Sequence, residues 1–141
     1  MKLGLISCTK SKQTFPCSAA QMYQPSNLFS KAYAYATRHY DQTCILSAKY
    51  GLLFPEDPIE PYEKTLKNMG VQAKKAWSRK VLAQMDKRLS LSPGDEVYIH
   101  AGKDYREYLI PGLKKRKLTV HVPLEGLSFG RQLQWYDNQR W

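Results

Sequence analysis

The sequence predicts an α/β fold, a Rossmann-like three-layer sandwich with a mainly parallel sheet of about four strands. Four short apolar runs are continuous and do not alternate in polarity, which is typical of strands covered on both faces. Helix-period patterns separate these runs, and alternation of strands with helices predicts a parallel sheet. The length of 141 residues suits one folding unit. We therefore expect residues 1–141 to form a single small domain.

Each predicted strand is followed by a helical pattern. The strands are predicted at "LGLIS" from Leu3, "CILS" from Cys44, "VYIH" from Val97 and "LTVHV" from Leu118. The apolar faces of the helices are predicted at Leu28, Ala32 and Ala36 after a Ser26 N-cap, at Trp77, Val81 and Met85, at Tyr105, Tyr108 and Leu109, and at Phe129, Leu133 and Tyr136. We expect Pro111 and Gly112 to end the third helix, and Asp104 to cap its start.

Composition excludes several classes of protein. Hydrophobic residues make up 43% of the chain, which favours a soluble globular protein over a disordered one. No apolar run approaches the ~20 residues of a membrane span, and the start lacks a signal-peptide cleavage site. The three cysteines form no C-x-x-C pair, and the three histidines are scattered. We expect a cytoplasmic protein that neither enters a membrane nor binds a metal or a cofactor. Cys44 is expected to lie in the core.

Positive charge is the strongest global signal. The formal net charge is +10, with 22 basic against 12 acidic residues. Two basic clusters, within Lys64–Arg88 and at Lys114–Lys117, would neutralise phosphates and predict duplex DNA as the partner. We expect the protein to be a monomer. The predicted nucleic-acid-binding residues are Lys74, Lys75, Arg79, Lys114, Lys115 and Arg116. The alternative is a solvated helix face without a ligand.

The tips of the predicted strands indicate where a ligand binds. In parallel α/β sheets the ligand lies beyond the carboxyl ends of the strands. The four tips, at residues 7–12, 48–65, 100–105 and 123–132, all carry glycine, small polar or charged residues. Lys10 and Lys12 on the first tip suit an anion, although the alternative is two solvated loop lysines. No P-loop motif is present, which disfavours ATP hydrolysis.

The loop after the second predicted strand concentrates acidic residues. Lys49 and Tyr50 precede the proline-containing stretch "FPEDPIEPYEKT", which holds four of the twelve acidic residues. A protein that only binds DNA gains nothing from carboxylates near phosphates, whereas an enzyme uses them to activate water. We therefore predict Glu63 as the first and Asp57 as the second candidate catalytic carboxylate. The alternative is a cluster that caps a helix start.

The motifs in combination resemble a family of small bacterial and phage domains of unknown function. They are C-x-K-x-K from Cys8, S-A-K-Y-G-L-L from Ser47, P-Y-E-x-T-L from Pro61, A-G-x-x-Y from Ala101 and P-L-x-G-L-x-x-G-x-Q from Pro123. This family is similar in outline to the uracil-DNA-glycosylase superfamily. The resemblance implies a DNA glycosylase in phage defence, with glucosylated hydroxymethylcytosine as a substrate. A lysine nucleophile needs a desolvated setting, whereas Lys10 and Lys12 lie in a polar loop, so we expect a monofunctional enzyme that leaves an intact abasic site. The glycosylase motif G-x-D-P-Y is absent, so the choice of carboxylate stays open.

The resemblance also implies roles for individual residues. A glycosylase flips a base into a pocket and stabilises positive charge on the sugar and negative charge on the leaving base. Lys49 and Tyr50 are predicted to stabilise the base as further catalytic residues. The predicted substrate-binding residues are Ser7, Cys8, Lys10, Lys12, Tyr62, Thr65, Gly102, Tyr105 and Gln132.

Three further expectations stay open. A weaker similarity to archaeosine synthase allows an enzyme that acts on a modified base of RNA or on a nucleoside. Besides these two kinds of enzyme, a third hypothesis is a non-catalytic DNA-binding accessory protein. The aromatic residues of the C-terminal "QWYDNQRW" are predicted either to stack on bases or to pack in the core.

Overall fold

The computed structural model describes residues 1–139, so the predicted roles of the last two residues, including Trp141, lie outside it. The strands are β1 (Lys2–Ser7), β2 (Cys17–Ser18), β3 (Gln42–Ser47), β4 (Gly51–Leu53), β5 (Pro58–Ile59), β6 (Glu96–His100) and β7 (Thr119–His121). The helices are α1 (Ala19–Met22), α2 (Asn27–His39), α3 (Val71–Arg88), α4 (Lys103–Arg106), α5 (Leu109–Lys115) and α6 (Phe129–Asp137), with a 3₁₀ turn at Leu66–Asn68.

A five-stranded sheet in the order β4-β3-β1-β6-β7 forms the centre of the molecule. The strand β1 lies in the middle and pairs in parallel with β3 and β6, and β6 pairs in parallel with β7. Helices α2 and α6 pack together, as do α3 and α5. The predicted α/β class and all four predicted strands are confirmed.

The core lies on both faces of the central strands. Leu3, Leu5 and Ile99 are fully buried, and so is the predicted core cysteine Cys44. Helix α2 begins as predicted, because the Ser26 hydroxyl accepts a hydrogen bond from the Phe29 backbone N–H. Continuous apolar strands thus match a sheet covered by helices on each side.

The stretch after β3 differs from the predicted loop, because the chain reverses and adds β4 antiparallel to β3. Ser47 makes the reversal possible: its Oγ accepts hydrogen bonds from the backbone N–H groups of Lys49 and Tyr50. Gly51 then takes a positive φ of 79°, a conformation that glycine adopts without steric cost. A fifth, edge strand is the result.

The third predicted helix is also different. It consists of α4 and α5, and Pro111 and Gly112 lie inside α5 instead of ending it. Pro111 is the third residue of α5, where the backbone N–H has no partner within the helix, so proline costs little there. Gly112 allows close packing on α3, since a Cβ there would lie 2.3 Å from a Leu82 methyl carbon. The N-cap of α4 is Gly102 and not Asp104.

A small second sheet fixes the acidic loop to the loop after β1. Strands β2 and β5 pair antiparallel, with Cys17 opposite Ile59. Backbone hydrogen bonds of 2.8 Å and 2.9 Å join Ala19 to Asp57 and Ala20 to Pro55. Two segments that are distant in sequence are thereby held side by side next to the carboxyl edge of the main sheet.

Among residues 1–139, none of the helices combines the length and the apolar character needed to cross a bilayer.

Candidate functional site

A cavity of about 1100 Å³ opens at the carboxyl edge of the sheet. It lies beyond the ends of β1 and β6, which are neighbours in the sheet. The helices after these two strands lead the chain in opposite directions along the sheet: α2 leads from β1 to β3, and α4 and α5 lead from β6 to β7. Such a divergence leaves a crevice between neighbouring strands, which is where doubly wound sheets bind ligands. The position predicted for a site from the strand tips is therefore the position of the cavity.

The structure brings most of the predicted site residues to this cavity. Those that line it are Ser7, Cys8, Lys10, Lys12, Glu63, Thr65, Gly102, Tyr105 and Gln132. They come from loops that are far apart in sequence and converge because parallel strands end at one edge. Tyr105 is held in the wall by its hydroxyl, which accepts a hydrogen bond from the Cys8 thiol at 3.4 Å.

The cavity wall is strongly cationic. Six basic residues line it, namely Lys10, Lys12, Lys64, Lys67, Lys103 and Arg106. Only two carboxylates in residues 1–139 share the wall, and one of them, Asp104, forms an ion pair of 2.7 Å with Lys74. Arg106 is oriented by a hydrogen bond of 2.9 Å to the Ala101 carbonyl. It also pairs with Glu125 at 3.8 Å, and Lys103 pairs with Glu107 at 3.6 Å, which leaves the other four lysines of the wall without an ion pair in residues 1–139. The wall therefore suits an anionic ligand.

Glu63 is the second carboxylate of the cavity. Its side chain is exposed, and within residues 1–139 it takes part in no ion pair and no hydrogen bond. A carboxylate that the fold does not use, next to cations, is available to a ligand or a water molecule.

Asp57 has different surroundings and does not line the cavity. Its carboxylate accepts two hydrogen bonds from the Arg88 guanidinium, of 2.7 Å and 3.1 Å, and one of 2.9 Å from the Phe54 backbone N–H. The bonds to Arg88 hold the pKa of Asp57 below its ordinary value of 3.8. The expectation that Asp57 lies at the strand-tip pocket is wrong, because a guanidinium from α3 binds it elsewhere.

Lys49 and Tyr50 also lie outside the cavity wall. Lys49 is exposed at the β3–β4 turn, with its Nζ 5.2 Å from the centre of the Tyr50 ring. The Tyr50 hydroxyl accepts a hydrogen bond of 3.2 Å from the Glu60 backbone N–H. They occupy a strand tip as expected, but neither lines the cavity, and the Tyr50 ring packs edge-on against Tyr62 with 5.6 Å between the ring centres.

Tyr62 lies behind the wall and anchors the segment that carries Glu63. Its hydroxyl is 2.7 Å from the Tyr23 hydroxyl and 2.8 Å from Ser47 Oγ. Burial raises the pKa of Tyr62 and raises that of Tyr23 to about 12, so both phenols stay protonated at neutral pH. The Lys12 ammonium lies 4.7 Å from the centre of the Tyr62 ring. This network fixes the backbone next to Glu63.

The floor of the cavity contains a buried histidine that the sequence interpretation did not select. His100 lies at the end of β6, between the hydroxyls of Tyr40, 2.6 Å away, and Tyr136, 2.7 Å away. Burial lowers the pKa of His100 to about 4, so the ring is neutral at physiological pH. Its position at the tip of a predicted strand is the signal in the sequence that indicates it. Within residues 1–139 no group of three or more potential ligands could hold a metal.

The basic residues predicted to contact phosphates divide into two groups. Lys74 pairs with Asp104, and Arg116 makes two hydrogen bonds of 2.8 Å and 2.6 Å to Asp86. The other four, Lys75, Arg79, Lys114 and Lys115, are exposed on α3 and α5. Lys114 and Lys115 end α5 just before β7 begins, so they lie toward the opposite edge of the sheet from the cavity.

Comparisons with known proteins identify the family. Neither the search of curated proteins nor the search of solved structures found a match. The model of a family of unknown function, DUF6884, matches residues 3–138, nearly the whole chain. The chain therefore belongs to the DUF6884 family.

Proposed function

We propose that this protein is a monofunctional DNA glycosylase that excises a modified base in the cavity at the carboxyl edge of the sheet. The observation that carries the proposal is Glu63, a carboxylate without an ion pair in residues 1–139 that lines a cavity with six basic residues. A protein that only binds DNA has no use for such a group, since it repels phosphates. An enzyme that breaks a glycosidic bond needs both charges.

The positive surface supports DNA as the partner. The cations of the cavity wall and the exposed Lys75 and Arg79 of α3 suit a phosphate backbone, and the net charge of +10 favours association. The cavity volume of about 1100 Å³ lies slightly above the range of small-molecule sites, ~300–1,000 Å³. It is large enough for a base that carries a sugar. The volume supports the glucosylated cytosine suggested by the motif resemblance, and the proposed role in phage defence rests on that resemblance.

The chemistry assigns opposite roles to the two kinds of charged group. Glu63 accepts a proton from a water molecule, whose oxygen forms a bond to C1′ of the flipped nucleotide. The bond from C1′ to the base nitrogen breaks, and its electron pair leaves with the base, which takes up a proton. Lys10 and Lys12 stabilise the negative charge that develops on the base. The products are a free base and an intact abasic strand.

Mass spectrometry of released bases tests the proposal. The protein is incubated with phage DNA that contains glucosylated hydroxymethylcytosine and with the same sequence unmodified. Release of the modified base from the first alone is the expected result. Release from RNA or from free nucleosides, and not from DNA, would support the alternative enzyme. Binding to DNA without release of any base would support the non-catalytic accessory protein.

A further inference from the structure

Helix α6 presents a row of three side chains to the cavity. Phe129, Gln132 and Tyr136 all line it, and the spacing i, i+3 and i+7 places them on one face of the helix. Exposure falls along the row: Phe129 is 63% exposed, Gln132 is partly buried and Tyr136 is 3% exposed. The row therefore runs from the mouth of the cavity to its floor.

Phe129 is unusual among the exposed apolar residues. The large hydrophobic side chains exposed in residues 1–139 are Met1, Phe15, Val71 and Phe129, and of these Phe129 alone lines the cavity. Its ring stands in water at the mouth of a wall that is otherwise rich in cations. An exposed aromatic ring beside basic side chains is the combination with which proteins bind single-stranded nucleic acid.

The other two residues of the row are oriented by the fold. The Gln132 amide donates a hydrogen bond of 3.0 Å to the Leu127 carbonyl, which leaves one N–H and the amide oxygen for a ligand. The Tyr136 hydroxyl is held by His100 at 2.7 Å, so the floor is rigid. Tyr136 and Trp135 pack among other aromatic rings, and the ring centres of Trp135 and Tyr35 are 5.0 Å apart. Of the aromatic residues between Phe129 and residue 139, Phe129 is thus the one placed to stack on a base.

We propose that this face of α6 is a nucleobase-binding site, in which the Phe129 ring stacks on the base and the Gln132 amide hydrogen-bonds to its edge. Stacking tolerates any base, whereas the donor and acceptor of the amide select an edge. The site rests on the proposed function, because it assumes that nucleic acid enters this cavity. It does not depend on bond cleavage.

Two single-stranded oligonucleotides of equal length separate stacking from phosphate binding. One is oligothymidine, and the other carries stable abasic residues throughout, so both have the same charge. Fluorescence anisotropy of the wild-type protein should show roughly 5- to 150-fold tighter binding of the oligothymidine, which corresponds to one stacked base. Phe129→Ala should reduce this ratio to near one with an unchanged salt dependence, while Phe129→Trp should retain it.

Phe15→Ala is the matched control, because Phe15 is 52% exposed and does not line the cavity. This variant should keep the wild-type ratio. The inference is overturned if Phe129→Ala keeps the full ratio, or if Phe15→Ala loses as much. If the wild type binds both oligonucleotides equally, the stacking site is wrong while the excision cavity stands. If it binds neither, both proposals lose their common basis.

Discussion

The proline-containing loop between β4 and the 3₁₀ turn has two halves with opposite surroundings. In the first half, the Asp57 carboxylate is bound by Arg88 and by the Phe54 backbone N–H. In the second half, Glu63 faces the cavity without an ion pair among residues 1–139. One carboxylate stabilises the fold and the other is left for a ligand. Clustering in sequence therefore does not mean participation in one site.

The largest expected effect is on the cavity half of the loop. Glu63→Gln keeps the shape of the side chain and removes its charge. It should lower the turnover number by about 10²- to 10⁴-fold, the range of general acid–base catalysis. DNA affinity and melting temperature should stay near those of the wild type, because Glu63 is exposed. Base-release kinetics and a thermal melt measure both. Full activity in this variant would show that Glu63 is not catalytic and that the two halves of the loop do not differ in function.

Tyr62→Phe tests whether the buried network positions Glu63. The change leaves Tyr23 and Ser47 without their shared partner, which should cost about 1–3 kcal/mol of stability. Turnover of the folded enzyme should fall about tenfold with little change in KM, a smaller loss than in Glu63→Gln. Tyr50→Phe is the control, because it removes a hydroxyl that bonds only Glu60 in residues 1–139. Equal turnover in both variants would show that the network has no role at the site.

Asp57→Asn tests the structural half of the loop. It should lower the free energy of unfolding by about 1 kcal/mol and leave turnover unchanged, since Arg88 is 38% exposed and water screens the pair. The pKa of Asp57 is below 3.8 in the folded state, so its contribution is full above that value and is lost as the pH falls through the folded pKa. The stability gap between wild type and variant should therefore close at acidic pH. Denaturant titrations from pH 7 to well below pH 3.8 measure it.

The smallest expected effect is on the salt dependence of DNA affinity. It tests whether a basic side chain that is ion-paired within the protein still contacts a phosphate. Arg79→Gln should reduce the slope of log affinity against log salt concentration by about one, the value for a single lost phosphate contact, because Arg79 is exposed on α3. Arg116→Gln should leave the slope unchanged, because Asp86 already binds the guanidinium. Anisotropy with duplex DNA at several salt concentrations compares them. Equal slopes in the two variants would show that ion pairing within the chain does not decide which cations meet DNA.

Those parts of the fold were predictable whose burial is visible in the local pattern of apolar residues. Buried strands are continuous apolar runs, and their order with the helices implies the parallel sheet and its ligand edge. Strand β4 was missed because three residues after a turn carry little periodicity. The pairing of Asp57 with Arg88 spans 31 positions, and no local pattern encodes it. The same applies to His100, whose buried hydroxyl partners come from α6 and from the end of α2.

The central claim is that Glu63 and water break the glycosidic bond, and that no lysine of the cavity attacks the sugar. Borohydride trapping during turnover on modified duplex DNA tests it most directly, because a lysine nucleophile forms a Schiff base with the sugar that borohydride reduces to a stable adduct. We expect released base, a strand that is cut only after alkali, and no covalent protein–DNA adduct. An adduct that forms in the wild type and is lost in Lys10→Ala or Lys12→Ala would contradict the account.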